Sequence, residues 1–596
     1  MILEELKTKS IKQLNIKELN LLCQEIREKI IRVVDDNGGH LASNLGVVEL
    51  TVALYYVYDF PTDKLIFDVG HQSYVHKILS GRIDDFNSIR KEDGLSGFPD
   101  SEESEFDAFS VGHAGTSISA GLGYAYSRDR LKKDYNVINV VGDASFFNGE
   151  NLEAITSQEV KPKKFLVILN DNGMSINKNN NGGYKFISSI TTTRSYNAFN
   201  DFLSRTVGKT FIGAFLRGIK NWLKRCFSSY TIFDTMNIKY VGMFDGHDLK
   251  HLIKLLTRIK DSENPTLLHI RTKKGKGLTV AENDSVTYHG VGKNLTVSKH
   301  DYSENVSTIL EKYVQKHDNL FAITAGMIDG VGLSPLAKKY PKVVIDTGIA
   351  EGYAVTLAGG IAISGGKPIV FIYSTFLQRA YDQILHDVCI QNLPVVFCLD
   401  RAGLVGSDGK THQGVFDLSY LSSMPNMVIL SPKDVNEFDK MLDIALQMNS
   451  PVAIRYNNGT ASEFESVSEI DKNLKWEELK QGSKTCIFAV GGRMLDIAYK
   501  VSKMANDGLV AVVNARSVKP LDFEMLNKYS NHKIITLEDN TLIGGFYSQC
   551  LKYYADNNIK VDIKGFGIKD EFISHASVES QLAKNGITVE NIIKYI

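Results

Sequence analysis

Short hydrophobic runs rich in valine and isoleucine recur along the chain, and segments with helical spacing separate them. The clearest runs are YNVINVVGD (135–143), KFLVILNDN (164–172), KVVIDTGIAEG (342–352), KPIVFIYSTF (367–376), PVVFCLD (394–400), KTCIFAVGG (484–492), GLVAVVNARSVKPLD (508–522) and KIITLEDN (533–540). Near-continuous β-branched runs between helices are typical of parallel sheets that are covered on both faces. The pattern predicts an α/β fold class with doubly wound, mainly parallel sheets.

Two polar stretches divide the chain. One is HDYSENVS (300–307), and the other is SEFESVSEIDKNLKWEELKQGS (462–483). The full length of 596 residues exceeds the usual size of a single domain. We therefore predict three α/β domains, at 1–305, 306–468 and 469–596.

Composition narrows the class of protein. The chain has 68 Lys+Arg and 69 Asp+Glu, whereas nucleic-acid-binding proteins normally carry a basic excess. Its six cysteines form no C-x-x-C pair, which argues against a zinc site and fits a reducing compartment. The start of the chain lacks the apolar core of a signal peptide, and no apolar run approaches a membrane span. We expect a cytoplasmic protein without nucleic-acid or membrane partners.

One segment, FIGAFLRGIKNWLKRCF (211–227), combines apolar residues at helical spacing with basic residues on the opposite side. A basic amphipathic helix of this kind can lie on a membrane surface. The alternative is a helix that packs on its own protein. We favour this second interpretation, because it is by far the more common arrangement.

Polar residues directly follow two of the hydrophobic runs. Gly142-Asp143 ends one run, Asn170-Asp171-Asn172 ends the next, and NGENLEAITSQEV (148–160) predicts the helix between them. In a right-handed strand–helix–strand unit both strand ends open on the sheet edge where ligands bind. Carboxylate and amide oxygens suit Mg²⁺, which keeps other positions for water and phosphate. Asp143 and Asn172 thus predict a magnesium–diphosphate site, although Asp143 could instead cap the helix that follows it.

Longer motifs carry a resemblance to a known family. They are GGHLASNLGVVELTVALYYVY (38–58), FDVGHQSYVHKILSGR (67–82), SVGHAGTSISAGLG (110–123), YVGMFDGHDL (240–249), KKGKG (273–277), YHGVG (288–292), YSTFLQRAYDQILHDV (373–388), LPVVFCLDRAGLVGSDGKTHQGVFDLSYL (393–421) and RSVKPLD (516–522). With these motifs in order, the chain resembles the 1-deoxy-D-xylulose-5-phosphate synthases, a transketolase-like family of thiamine-diphosphate enzymes.

The resemblance implies an activity and an assembly. The chain would condense pyruvate with D-glyceraldehyde 3-phosphate, release CO₂ and form 1-deoxy-D-xylulose 5-phosphate, a precursor of isoprenoids, thiamine and pyridoxal. Thiamine diphosphate and Mg²⁺ would be its cofactors, and it would be a homodimer. Within a transketolase-like fold, the first domain would bind the diphosphate and the second the aminopyrimidine, while the third would complete the fold.

The resemblance also implies roles for single residues. The metal ligands would be Asp143, Asn172 and the carbonyl of Met174. The cofactor would lie along His71, Gly112, His113, Ala114, Ala144, Ser145, Asn172, Leu278, Glu351 and Phe376. The substrates would meet Tyr373, Arg379, Arg401 and Arg455, and the catalytic residues would be Glu351, His40, His289, His412 and Asp408.

Each of these roles has a simpler alternative. Glu351 would donate a proton to the aminopyrimidine, which burial favours by raising its pKa, but it could also be a first-turn glutamate stabilised by its helix. Phe376 could be a core residue, and each arginine could belong to an ion pair. His40 and His289 could be structural, although neighbouring glycines would let a ligand approach them closely. Arginine forks suit a pyruvate carboxylate and an acceptor phosphate.

Four sites depart from the family's usual sequence. Ala144 replaces a glycine, and Leu278 replaces an aromatic residue. Gly352-Tyr353 replaces Gln-His, and Asn457-Asn458 replaces Pro-Arg. These changes leave the cofactor affinity and the substrate range open.

Three functions therefore remain in competition. The first is the synthase itself, and the second is a transketolase-type ligase with another donor or acceptor. The third is a binding or regulatory paralogue without turnover. The chain keeps Glu351, Asp143 and Asn172, and this argues against the third.

Overall fold

The structure is a computed structural model that describes residues 2–157, 161–173, 238–296, 300–464, 470, 472–505 and 508–596. The chain forms two compact units. The first unit comprises residues 1–34, 40–86 and 98–290, and the second comprises 35–39, 87–97 and 291–596. The predicted boundaries of three domains stay a prediction. Met174 and the segment 211–227 lie outside the described residues.

The first unit is built on a five-stranded parallel sheet. Its strands are β1 (Lys64–Phe67), β2 (Val137–Gly142), β3 (Phe165–Asp171), β4 (Lys239–Asp245) and β5 (Thr266–Arg271). They lie in the order β1-β2-β3-β5-β4, and all neighbours are parallel. The principal helices are Ile16–Asn37, Val48–Val57, Tyr74–Leu79, Ser117–Arg130, Asp143–Phe146, Gly149–Thr156, Leu249–Ile259 and Thr279–Asn283.

The second unit contains two sheets. Its strands are β6 (Leu320–Thr324), β7 (Val344–Asp346), β8 (Lys367–Tyr373), β9 (Val396–Asp400), β10 (Val428–Leu430), β11 (Val452–Arg455), β12 (Glu477–Lys480), β13 (Thr485–Ala489), β14 (Val510–Asn514), β15 (Ser517–Lys519), β16 (Lys533–Thr541) and β17 (Asp562–Ile568). The seven-stranded sheet has the order β15-β10-β11-β9-β8-β6-β7, and the five-stranded sheet has the order β12-β14-β13-β16-β17. Only the edge strands β15 and β12 are antiparallel among these described strands.

Helices surround both sheets of the second unit. The main ones are Asp301–Lys316, Ser334–Lys339, Glu351–Ile363, Asp417–Ser422, Val435–Ala445, Gly492–Met504, Phe523–Lys528, Phe546–Asp556, Val578–Lys584 and Val589–Ile593, with a π-helix at Ile384–Cys389. Strand β8 lies inside its sheet, and residues Ile369 to Ile372 are all 0% exposed, which explains the continuous apolar run in its sequence. A strand buried on both faces needs apolar residues at every position. The predicted α/β fold class, with mainly parallel sheets, is confirmed.

No helix in the described part of the chain is both long enough and apolar enough to cross a membrane. The longest described helix of the first unit, Ile16–Asn37, has one buried apolar side and many charged residues. Such a helix packs against a protein core on one side only.

Candidate active site

The two predicted strand ends lie side by side in the first unit. Strands β2 and β3 are parallel neighbours, and Gly142 is paired with Asn170. Asp143 opens the short helix Asp143–Phe146, while Asn172 directly follows β3. The expected helix between the strands is present as Gly149–Thr156. The strand–helix–strand unit therefore brings Asp143 and Asn172 to one sheet edge.

Asp143 is a buried carboxylate with an unused oxygen. Its side chain is 3% exposed, and its Oδ2 accepts no hydrogen bond among the described residues. Burial raises its pKa, the Asp171 carboxylate acts in the same direction, and Lys274 opposes them. Asp171 itself is engaged, because it contacts His269 Nε2 at 3.1 Å and accepts a bond from Gly173 N–H. A buried charge needs a compensating cation, and a magnesium ion at Asp143 would supply one.

A cavity of about 660 Å³ opens beside Asn172. Arg271, Lys273 and Lys274 contribute to its lining. Lys274 is 7% exposed, and burial lowers its pKa while Asp143 opposes that change. This cluster of cationic side chains at the end of β5 fits a diphosphate. Sequence reasoning missed Lys274, although the KKGKG motif that contains it was available as a signal.

Asp68 connects the loop before helix Ser117–Arg130 with the two short helices Asp143–Phe146 and Gly149–Thr156. Its carboxylate accepts hydrogen bonds from Gly115 N at 2.9 Å, from Ser117 N at 3.1 Å and from Asn151 Nδ2 at 3.2 Å. The Ser145 hydroxyl also donates to it. Gly112, His113 and Ala114 precede Gly115 in the same loop, and Ala144 precedes Ser145. Asp68 directly follows β1 in the sequence, as Asp143 follows β2, and this signal went unused.

Gly115 has no room for a side chain. Its φ is +92°, and an added Cβ would lie 2.3 Å from Asn148 Oδ1. A positive φ of this size favours glycine. The loop that contains the predicted cofactor residues is thus held close to the start of helix Gly149–Thr156.

Three histidine rings form a cluster in the first unit. The His40 ring lies 5.7 Å from His71 and 5.6 Å from His289, and the His71 and His289 centroids are 5.4 Å apart. Ser43 Oγ lies 3.1 Å from His289 Nδ1. Burial lowers the pKa of His71 and of His289 well below the ordinary value, and Lys274 acts in the same direction. Neutral rings can accept or donate a proton, so the cluster suits proton transfer.

Glu351 is buried at the start of helix Glu351–Ile363 in the second unit. Glu351 is 4% exposed, and Arg379 Nη1 lies 3.5 Å from its Oε2. Burial raises the pKa of Glu351, while Arg379 opposes this increase. The carboxyl group is therefore held closer to its protonated form, as a proton donor requires.

Aromatic and basic groups follow strands β8 and β9. The Phe376 ring stacks on Tyr373 with centroids 5.4 Å apart, and it meets the His412 ring edge-on at 5.7 Å. The Arg401 guanidinium lies 3.8 Å from the centre of the Tyr373 ring. This contact is a cation–π interaction that fixes the arginine fork. The structure brings together four residues that the resemblance assigned to substrate and cofactor.

Asp408 forms an ion pair with a residue that the sequence did not suggest. Arg90 Nη2 lies 2.8 Å from Asp408 Oδ1 and donates to Ser407 Oγ at 2.8 Å. Burial lowers the pKa of His412, and Asp408 opposes that change. Arg90 precedes Ser407 by 317 residues in the sequence, so no local sequence pattern connects Arg90 with this loop.

Arg455 lies in a buried cluster of ion pairs. Its Nε is 2.8 Å from Asp417 Oδ2, and its Nη1 is 3.0 Å from Asp539 Oδ1. Two carboxylates compensate its single charge, and the residue is 2% exposed. The ion-pair alternative named above is thus observed for Arg455, and its substrate role stays a prediction.

The departures from the family's sequence lie in different surroundings. Ala144 and Leu278 are partly buried in the first unit. In the second unit Tyr353 is 58% exposed, while Asn457 Nδ2 donates to Ala402 O at 2.7 Å and to Asp539 Oδ2 at 2.5 Å. Asn457 has therefore become part of the cluster around Asp539.

Family models match three parts of the chain. Residues 3–272 match a model described as 1-deoxy-D-xylulose-5-phosphate synthase. Residues 298–462 match the pyrimidine binding domain of transketolase, and residues 474–592 match the transketolase C-terminal domain. The matches follow the order of the motifs along the chain.

Curated relatives are similar over nearly the whole chain. The 1-deoxy-D-xylulose-5-phosphate synthase of Clostridium tetani is 45% identical and covers 98% of this chain and 97% of its own. That of Carboxydothermus hydrogenoformans is 43% identical, with 98% and 96% covered. A crystal structure of transketolase from Campylobacter jejuni matches at 16% identity and a TM-score of 0.44, covering 98% of this chain and 99% of that one.

Proposed function

Because the chain belongs to the 1-deoxy-D-xylulose-5-phosphate synthase family, we propose that it condenses pyruvate with D-glyceraldehyde 3-phosphate. The reaction releases CO₂ and gives 1-deoxy-D-xylulose 5-phosphate, which serves as a precursor of isoprenoids, thiamine and pyridoxal. The observation that carries this proposal is the buried Glu351, whose pKa burial raises although the Arg379 guanidinium lies 3.5 Å away. A paralogue without turnover would have no need to keep a buried acid of this kind.

The residues of the first unit fit thiamine diphosphate and Mg²⁺. Asp143 offers a buried oxygen without a described partner, and Asn172 offers an amide oxygen at the same sheet edge. Lys274 supplies positive charge for the diphosphate. By resemblance the carbonyl of Met174 would be the third protein ligand. When bound, thiamine diphosphate supplies the nucleophilic carbon that attacks the keto group of pyruvate.

The chain's own residues then move protons and hold groups in place. Glu351 would donate a proton to the ring nitrogen N1′ of a bound aminopyrimidine, and Phe376 would offer that ring an aromatic surface. In the first unit, burial lowers the pKa of His289 well below the ordinary value, and by resemblance His289 and His40 would transfer protons at the substrate. In the second unit, burial lowers the pKa of His412, to which the resemblance gives a catalytic role.

Two arginines are available for the acidic groups of the substrates. Arg401 lies over Tyr373, pairs with Asp400 at 3.0 Å and is charged at every relevant pH, and by resemblance it would meet the acceptor phosphate. Arg379 lies 3.5 Å from Glu351, and we assign it to the pyruvate carboxylate. Asp408 holds the loop before His412 through its pair with Arg90.

An apolar surface supports a homodimer. Helix Glu351–Ile363 has the sequence EGYAVTLAGGIAI, with one charged residue, and yet Tyr353 is 58% and Ile363 is 65% exposed. Tyr381 and Ile390, on the helical segment that packs against this helix, are 40% and 67% exposed. A helix that is apolar all round is normally buried, so a second copy is the occupant we propose.

The proposed location is the cytoplasm, where the substrates are metabolites.

The test is an assay of the purified chain with thiamine diphosphate, Mg²⁺ and pyruvate. We expect CO₂ release that depends on D-glyceraldehyde 3-phosphate and forms a phosphorylated ketose. Turnover with a different aldehyde only would favour a ligase of another specificity. No decarboxylation with any acceptor would favour the binding paralogue.

A further inference from the structure

The loop 404–413, which carries Asp408 and His412, is held by a glutamine near the end of the chain. Gly406 N–H donates to Gln581 Oε1 at 3.2 Å, and Gln581 Nε2 donates to Gly406 O at 2.9 Å. The two bonds engage both backbone groups of one loop residue. A paired amide contact of this kind fixes position and direction together.

Gln581 is itself held in place. It is 0% exposed on helix Val578–Lys584, and its Nε2 also donates to Ser574 O at 2.8 Å. Its side-chain oxygen and nitrogen are therefore both used inside the protein. Removal of this side chain would leave the Gly406 N–H buried without its acceptor, which is unfavourable.

Glycines let the loop approach the C-terminal segment 573–577. Gly409 has a φ of +67°, and an added Cβ would lie 2.9 Å from the backbone nitrogen of His575. Gln413 Nε2 adds a longer hydrogen bond of 3.4 Å to Ile573 O. The loop thus lies against this segment at two points, Gly409 and Gln413, in addition to its bonds with Gln581.

We propose that Gln581 is a positioning residue for the proposed condensation, because it sets the location of Asp408 and His412 through the loop 404–413. The inference rests on the proposed function of these two residues. The His412 ring meets Phe376 at 5.7 Å, and Asp408 meets Arg90 at 2.8 Å. A loop released from Gln581 moves both contacts, whereas the Gln581 side chain itself bonds to Gly406 and Ser574. The C-terminal part of the chain therefore supports the active site.

A matched pair of variants tests the proposal. Gln581→Met keeps the volume of the side chain and removes its hydrogen bonds to Gly406 and Ser574. Asn585→Leu removes buried bonds at the end of the same helix, to Lys569 N and Gln581 O, and none to the loop. We expect Gln581→Met to lower kcat by about ten- to a hundred-fold, a range typical of small misplacements of catalytic groups. Asn585→Leu should keep kcat within about two-fold at a similar loss of melting temperature.

Hydrogen–deuterium exchange gives a readout that needs no substrate. Peptides that cover 404–413 should exchange faster in Gln581→Met and not in Asn585→Leu, since only the first variant frees the Gly406 N–H. If Gln581→Met is too unstable to purify, Gln581→Glu replaces it and keeps only the acceptor. Equal exchange of the loop in both variants overturns the proposal, as does an equal kcat. An inactive wild type contradicts the proposed function, and the exchange result still decides the role of Gln581.

Discussion

Glu351 experiences two opposing influences on its pKa. Burial disfavours the charged carboxylate, and the nearby Arg379 guanidinium favours it. The net effect is a raised pKa, so the effect of burial is the larger. An acid that must donate a proton benefits from this balance, because it stays protonated at a higher pH.

Replacement of Glu351 by glutamine tests the donor role. The amide keeps the size of the side chain but does not donate an acidic proton. We expect exchange of the cofactor's C2 proton to slow by about 10²- to 10⁴-fold, with little change in cofactor affinity. Exchange into D₂O followed by NMR measures the rate. A variant that exchanges as fast as the wild type would remove Glu351 from the mechanism.

Replacement of Arg379 by methionine tests the balance between burial and the guanidinium in the pKa of Glu351. Without the guanidinium, the pKa of Glu351 rises further, because the largest influence that opposes burial is removed. The protonated form then persists to higher pH, so the alkaline limb of the C2-exchange profile should move upward. The profile is measured without substrates, which separates this effect from substrate binding. A downward shift would contradict the assignment of the proton donor.

Replacement of Asp143 tests the predicted magnesium site. We expect Asp143→Asn to weaken magnesium-dependent binding of thiamine diphosphate by about ten-fold or more, because a charged partner is worth roughly 1.5–3 kcal/mol. Asp63→Asn is the control. Asp63 is a buried carboxylate that accepts a hydrogen bond from Asn136 N, and it directly precedes β1, at the end of the sheet opposite to Asp143. Titration calorimetry with and without Mg²⁺ gives both affinities. Equal magnesium dependence in the two variants would place the metal elsewhere.

Single residues were predictable from the sequence where a strand precedes them. Asp143 and Asn172 follow β2 and β3, and the runs that predict these strands are continuous. Arg455 also follows from a strand end, but its partners lie 38 and 84 residues away. No spacing rule gives those partners, so the sequence did not reveal this ion-pair cluster.

Among the elements, the loop before helix Ser117–Arg130 depends on one carboxylate. Asp68→Asn would place an amide donor opposite the N–H groups of Gly115 and Ser117, which now donate to Asp68. We expect a loss of about 1–3 kcal/mol in the free energy of unfolding, together with weaker cofactor binding. Chemical denaturation and calorimetry measure these changes.

The control for this change is an exposed carboxylate. Asp134 pairs with Lys164 at the surface, with 80% of its side chain exposed. Asp134→Asn should change the free energy of unfolding by less than about 1 kcal/mol. Similar losses in the two variants would mean that Asp68 has no special role in the loop.

Also among the elements, the sequence predicted the positions of the strands better than the pairing between them. The eight hydrophobic runs correspond to β2, β3, β7, β8, β9, β13, β14 and β16, and burial on both faces gives most of them a strong pattern. The order of strands in a sheet depends on packing between distant segments, which a local pattern does not contain. For that reason the antiparallel direction of the edge strands β12 and β15 was not predicted.

For the whole molecule, the proposed homodimer predicts the effect of one surface charge. Ile363→Asp should shift the assembly toward monomers at micromolar concentration, because it places a charge within the apolar surface around Tyr353. Met504→Asp is the control, as Met504 has the same 65% exposure at the end of another helix. Sedimentation velocity distinguishes the species. Unchanged assembly in both variants would remove this helix from the interface.

Strand β15 has a consequence for how the chain can be divided. It lies within the predicted third domain, at Ser517–Lys519, but it completes the seven-stranded sheet by pairing with β10. Arg455 of that sheet also shares its charge with Asp539 of β16. A chain cut near residue 468 would thus lose an edge strand and expose a buried cation. We therefore expect the two sheets of the second unit to unfold in one cooperative transition, and a cut between them to cost stability.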